Sequence, residues 1–97
     1  MSKNIELDLN CPVFQRDWLS LETRPANQLR GTLRKIVRMD WESFMKDSGA
    51  NWEHIRDEGE VSIYSFRFSQ KYRALATREG NILRILSLHV DHDSAYK

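Results

Sequence analysis

Two short connections, Ser69-Gln70-Lys71 and Glu79-Gly80-Asn81, constrain this chain more than any other feature. They separate three runs, Val61–Ser69, Tyr72–Arg78 and Ile82–Leu88, each rich in apolar, β-branched or aromatic residues. Links of this length join neighbouring antiparallel strands and leave no room for a crossover. An antiparallel three-stranded meander is therefore expected. In the first run Tyr64, Phe66 and Phe68 alternate with Ser65, Arg67 and Ser69. A period of two puts the aromatics on one face and Arg67 on the other. The aromatic face is expected to lie against the rest of the chain, and the Arg67 face to be open at least in part.

The residues before the meander supply its cover. Ile5, Leu7 and Leu9 alternate with Glu6 and Asp8, the pattern of a short one-sided strand. Asn10-Cys11-Pro12 ends it, and Pro12 suits the first turn of a helix. Phe14, Trp18 and Leu21 then follow at helical spacing, which predicts an amphipathic helix over Pro12–Glu22. After the boundary Thr23-Arg24-Pro25, the residues Leu29, Leu33, Ile36, Val37, Trp41 and Phe44 form one apolar stripe. A single long helix over Ala26–Lys46 is expected, antiparallel to the first because the link is so short. Asp47–Asn51 is a stop signal. Trp52–Glu60 reads as a loop whose Trp52 and Ile55 plug the core, with a turn at Asp57-Glu58-Gly59-Glu60. The fold class is α+β: an N-terminal strand and a two-helix antiparallel hairpin packed on a C-terminal antiparallel three-stranded meander.

Ninety-seven residues fit one domain around one hydrophobic core. The lone Cys11 excludes an internal disulfide and a cysteine-rich metal site. No run approaches a membrane span, and Met1-Ser2-Lys3-Asn4 lacks the apolar core of a signal peptide, so a cytoplasmic setting is expected. Net charge is only +1 but unevenly spread. It is +5 over Arg24–Met39, where no acid occurs, −5 over Asp40–Glu60 and +3 over Val61–Lys97. Local basic patches, rather than the total, decide whether phosphate is attracted.

These pieces, in this order, resemble the toxins of the RelE/ParE superfamily from bacterial toxin–antitoxin pairs. Ile5–Leu9 and the Trp18 helix look like their first strand and helix. Asn27-Gln28-Leu29-Arg30 onward is similar to their basic second helix. Ser65-Phe66-Arg67-Phe68 with Lys71-Tyr72-Arg73-Ala74-Leu75 resembles their central hairpin. Ile85-Leu86-Ser87-Leu88 followed by His92-Asp93-Ser94-Ala95-Tyr96 resembles the last strand and His-Asp-x-x-Tyr ending of several nuclease members. The resemblance covers most of the chain and is weakest over Asp40–Glu60. It implies a RelE-like toxin fold, a cognate antitoxin partner and metal-independent mRNA cleavage, on the ribosome in several members. It also keeps open a ParE-like gyrase poison or an inactive protein-binding relative. The low net charge departs from the strongly basic ribosome-dependent members.

Metal-free RNA cleavage needs a base for the 2′-OH, cations for the developing phosphorane charge and an acid for the leaving 5′-oxygen. Arg67 and Arg73 flank one hairpin, and arginine forks onto phosphate oxygens. Their structural alternative is a surface cross-strand pairing with a carboxylate. His92 and His89 are the candidate proton carriers, since imidazole ordinarily titrates at about 6.5. Tyr96 either stacks on a base or closes the edge of the core. Lys71, at the hairpin, is a further candidate RNA contact. Arg30, Arg34 and Arg38 make a ridge that serves RNA backbone, antitoxin or solvent. His89, Asp91, His92 and Asp93 are ligand types, yet no distant cluster supports them, so neither a metal nor another cofactor is expected. Neither Cys11, which lacks a base partner, nor His54 is expected to carry chemistry.

Overall fold

The computed structural model describes residues 3–90. Along the chain lie β1 (Glu6–Asp8), α1 (Pro12–Ser20), α2 (Thr23–Ile36), α3 (Trp41–Met45), β2 (Glu53–Glu58), β3 (Val61–Arg67), β4 (Tyr72–Glu79) and β5 (Ile82–Val90). The expected meander is β3-β4-β5, and its two faces divide as the alternation predicts. Phe66, Phe68, Ala74, Ala76, Ile85 and Leu88 join Phe14, Leu29, Leu33, Ile36 and Phe44 in one core between sheet and helices. The α+β class and the order of strand, helices and antiparallel strands stand as expected.

The sheet is larger than the sequence suggested. Its order is β1-β5-β4-β3-β2, with β1 parallel to β5 and every other pair antiparallel. The segment read as a loop is the edge strand β2. Its residues, Glu-His-Ile-Arg-Asp-Glu, have poor strand propensity. They are recruited because the strand that follows, β3, offers a row of backbone partners, and their charges suit an edge facing water. The turn is confined to Gly59-Glu60 between the paired Glu58 and Val61. Gly59 has φ 64° and Gly80, in the matching position of the β4–β5 hairpin, has φ 58°. Both hairpins use the Gly-X arrangement that a two-residue loop favours.

The long helix is also divided. α2 stops at Ile36; the Val37 N–H still bonds four residues back to Leu33, but those of Arg38 and Met39 bond three back, to Lys35 and Ile36. The freed Met39 carbonyl accepts the Ile5 N–H at 2.8 Å, so the N-terminal strand docks where the helix breaks. Asp40 restarts it: its Oδ1 accepts the Ser43 N–H at 2.8 Å and caps α3. Aspartate favours such a cap over a helix interior. The apolar stripe survives the break, because Trp41 and Phe44 remain buried.

β5 changes face part-way. Ala76 pairs with Ile85 and Leu75 with Ser87, which leaves Leu86 as an extra residue in a bulge. Beyond β1, the edge of β5 is met by α1: Asp17 accepts the Leu88 N–H at 2.9 Å, and the Cys11 thiol donates to the Leu86 carbonyl at 3.4 Å. At the other end Arg84 Nε donates to Asp8 Oδ2 at 2.8 Å and ties β5 to β1.

Two outcomes follow for stability. Phe44 is fully buried, with ring contacts to Trp41, Trp52 and Phe66. Phe44→Ala should cost about 3–5 kcal/mol in urea unfolding, a large share of a small domain's stability. The Asn10 N–H and the Arg84 guanidinium hold the Asp8 carboxyl below its ordinary value. A carboxyl with a depressed native pKa adds stability above its unfolded pKa, and that contribution is lost as pH falls through the native value. Asp8→Asn should therefore weaken the protein at neutral pH and flatten the acid side of its stability profile, read by melts across pH 2–7.

Candidate functional site

The face of the sheet turned away from the helices carries the candidate chemistry. Arg67 on β3 is directly opposite Arg73 on β4, and Arg73 is directly opposite His89 on β5. Directly opposed residues share a face. Three residues singled out from sequence thus form one row across three adjacent strands. One register step along, Glu53, Ser65, Leu75 and Ser87 form a second row on the same face.

The face is less open than its alternation suggested. Arg67 is exposed at the end of β3, but Arg73 is only 3% exposed and Ser65 fully buried. The two cover each other: Arg73 Nη2 donates to Ser65 Oγ at 2.5 Å. The same nitrogen donates to the Asn51 carbonyl at 3.1 Å and lies 3.4 Å from Glu53 Oε1. A buried guanidinium requires such partners, because desolvation without them costs several kcal/mol. Asn51 adopts φ 48°, a left-handed conformation that asparagine tolerates better than most residues. The adjoining Ala50 carbonyl accepts the Arg67 N–H at 2.6 Å. The 47–51 turn is thereby fastened to the end of β3. Arg73 does pair with a carboxylate, but in a buried network rather than on the surface.

His89 is half-buried, and its Nε2 lies 2.8 Å from Ser87 Oγ on the same strand. That contact fixes the ring's rotation and ties its tautomer to the hydroxyl. Lys71 is exposed at the tip between β3 and β4, where Ser69 Oγ accepts the Lys71 and Tyr72 N–H groups. Arg30 and Arg34 are exposed on α2; Arg38 is exposed too, but lies beyond the helix end. None of these three belongs to the sheet row. His92 and Tyr96 lie outside the described residues. So do Asp91 and Asp93, the companions of His89 in the ligand-type cluster. Among the described residues no group of three or more His, Cys, Asp or Glu side chains could hold a metal ion.

Sequence reasoning missed Glu53, Asn51, Ser65 and Ser87. Ser87-x-His89 carried a usable signal, since i and i+2 of a strand share a face. Glu53 and Asn51 carried none, because β2 could not be read.

No family model matches the sequence, and no curated protein does either. Among solved structures the chain is similar to one from the archaeal RelE–RelB complex of Pyrococcus horikoshii OT3. The two share 15% identity with a TM-score of 0.60, over 93% of this chain and 96% of that one. This chain has the RelE-like toxin fold. A copper-bound mutant toxin from Helicobacter pylori is also similar, at 16% identity and TM-score 0.50, over 94% of this chain and 96% of that one. Among the described residues no helix of this RelE-like chain is long and apolar enough to cross a membrane.

Removing the Glu53 carboxylate tests the network. Because that side chain is half exposed, Glu53→Ala should cost about 1 kcal/mol rather than the larger penalty of breaking a fully buried pair. Urea unfolding of Glu53→Ala beside Ser65→Ala measures it.

Proposed function

We propose that this protein is the toxin of a toxin–antitoxin pair and acts as a metal-independent endoribonuclease on mRNA. One observation carries the reading: Arg67, Arg73 and His89 line up on one sheet face beside Glu53, on a RelE-like fold. The first neighbour comes from a RelE–RelB complex, which supports a cognate antitoxin as partner.

The residue types match the demands of the reaction. Glu53 takes the proton from a 2′-OH. The 2′-oxygen attacks the adjacent phosphorus as the bond to the 5′-oxygen breaks. Arg67 faces the phosphate oxygens as negative charge builds on them, and the buried Arg73 on the adjoining strand adds its positive charge to the site's field. Arg73 is already desolvated and fixed, so it undergoes little reorganisation when that charge appears. His89 gives a proton to the leaving 5′-oxygen. The products are a 2′,3′-cyclic phosphate and a free 5′-hydroxyl. The exposed cations Lys71, Arg30, Arg34 and Arg38 are available for backbone contact away from the cut. His92 and Tyr96 in the tail complete the set of candidate residues.

Induced expression should arrest growth and produce new mRNA 5′ ends, mapped by primer extension with and without ribosomes. Arg67→Ala and His89→Gln should each lower cleavage by about 10²-fold or more while leaving the fold intact by circular dichroism. Growth arrest with intact transcripts and altered DNA supercoiling would instead establish a gyrase poison.

A further inference from the structure

Immediately beside Arg67, on the helix side of the β3 end, lies a cavity of about 380 Å³. It falls in the size range of small-molecule sites. Its apolar lining comes from Ile36, Phe44 and Phe68. Its polar lining comes from Thr32, Lys35, Asp47, Ser48, Arg67 and Gln70. Lys35 Nζ meets Asp47 Oδ2 at 3.1 Å there, and Thr32 Oγ1 donates to the Phe68 carbonyl at 3.4 Å. The walls are the end of α2, the 47–51 turn and the hairpin tip, joined by the Arg67 N–H on the Ala50 carbonyl, the Thr32 hydroxyl on the Phe68 carbonyl and the Lys35–Asp47 pair.

An apolar lining with a polar, partly charged border matches a planar heterocycle with apolar faces and hydrogen-bonding edges. Aliphatic and aromatic side chains cover the faces of an unstacked base, while side-chain amides, hydroxyls and carboxylates read its edges. Arg67 belongs to both the cavity and the row with Arg73 and His89. The row lies on the face away from the helices and the cavity on the helix side, so an RNA strand would join them by turning around the end of β3 at Arg67.

We infer that this cavity is the base-recognition pocket for a nucleotide flanking the scissile phosphate, with Asp47, Ser48 and Gln70 setting which sequence is cut. The inference rests on the ribonuclease reading for its role in specificity, but base binding stands without cleavage.

The test has two arms. In the first, AMP, GMP, CMP and UMP are titrated into 15N-labelled protein, with inorganic phosphate as control. Saturable shifts at Ser48, Gly49 and Gln70 should appear with at least one nucleotide, and not with phosphate. Ser48→Phe, an exposed position whose new ring would fill the cavity, should weaken that binding about tenfold or more while the melting temperature holds. Equal shifts with phosphate alone, or unchanged affinity in Ser48→Phe, would overturn the pocket. In the second arm, RNA ends produced by wild type, Ser48→Phe and Gln70→Ala are mapped. Altered base preference beside the cut supports the inference; the same cut sites at the same rates refute it and leave the nuclease standing. Nucleotide binding in the pocket without any cleavage supports the pocket and refutes the nuclease.

Discussion

A buried guanidinium needs partners, and Arg73 draws them from three separate elements. Ser65 comes from the neighbouring strand, Glu53 from the edge strand beyond, and the Asn51 carbonyl from the turn between α3 and β2. Each partner is placed by a backbone feature: the β2–β3 register, the β3–β4 register and a left-handed asparagine. The charge is the constraint, and the local geometry answers it. A buried ion pair is weak support for stability by itself, since an apolar replacement often does as well. The exposed Arg67 stands directly opposite this fixed cation on the neighbouring strand. On a ribonuclease reading the same network would spare the reaction the reorganisation that a solvated arginine undergoes.

That dependence explains which parts of the fold could be read in advance. The meander was legible because its strands alternate cleanly and its links are hairpin-length, both local signals. The first helix was legible from Pro12 and the spacing of Phe14 and Trp18. β2 was not, because a strand of Glu, His, Arg and Asp exists only where a partner edge recruits it. Nothing within those six residues announces the partner. The break between α2 and α3 was hidden for a related reason. The apolar stripe continues in phase through Trp41 and Phe44, while Ile5, whose N–H takes up the Met39 carbonyl at the break, lies more than thirty residues away. Long-range backbone pairing marks both departures from local pattern.

The site divides along the same line. Arg67 was visible because residue type and strand alternation suffice to place it, and Arg73 because it flanks the same hairpin; His89 was visible by residue type alone, since the bulge in β5 overrides the alternation. Glu53 and Asn51 were not, since their role exists only once β2 has formed. Lys35 and Asp47 were hidden by similar logic: separated by twelve positions, they meet only because α3 folds back after the break. Arg30, Arg34 and Arg38 show the opposite case. Their spacing was the most conspicuous basic pattern in the chain, yet it leads along the outside of α2 rather than to the sheet face.

The bulge at Leu86 is what brings a histidine into the row with the two arginines. Leu83 and Ile85 are odd-numbered and face the core; Ser87 and His89 are odd-numbered too. In an uninterrupted strand all four would share one face, and His89 would stand among the helices. One extra residue shifts the parity, so that Leu88 enters the core and His89 comes to lie opposite Arg73. Bulges recur beside active sites for this purpose. Here the bulged segment is held from outside by α1, through the Asp17 carboxylate on the Leu88 N–H and the Cys11 thiol on the Leu86 carbonyl. Both contacts fall where β1 no longer pairs with β5, an edge that would otherwise be left open. The broken alternation Ile85-Leu86-Ser87-Leu88 is the trace of this device in the sequence. It gives the first helix a function beyond covering the core: it keeps the strand in the one register that turns His89 toward the arginines.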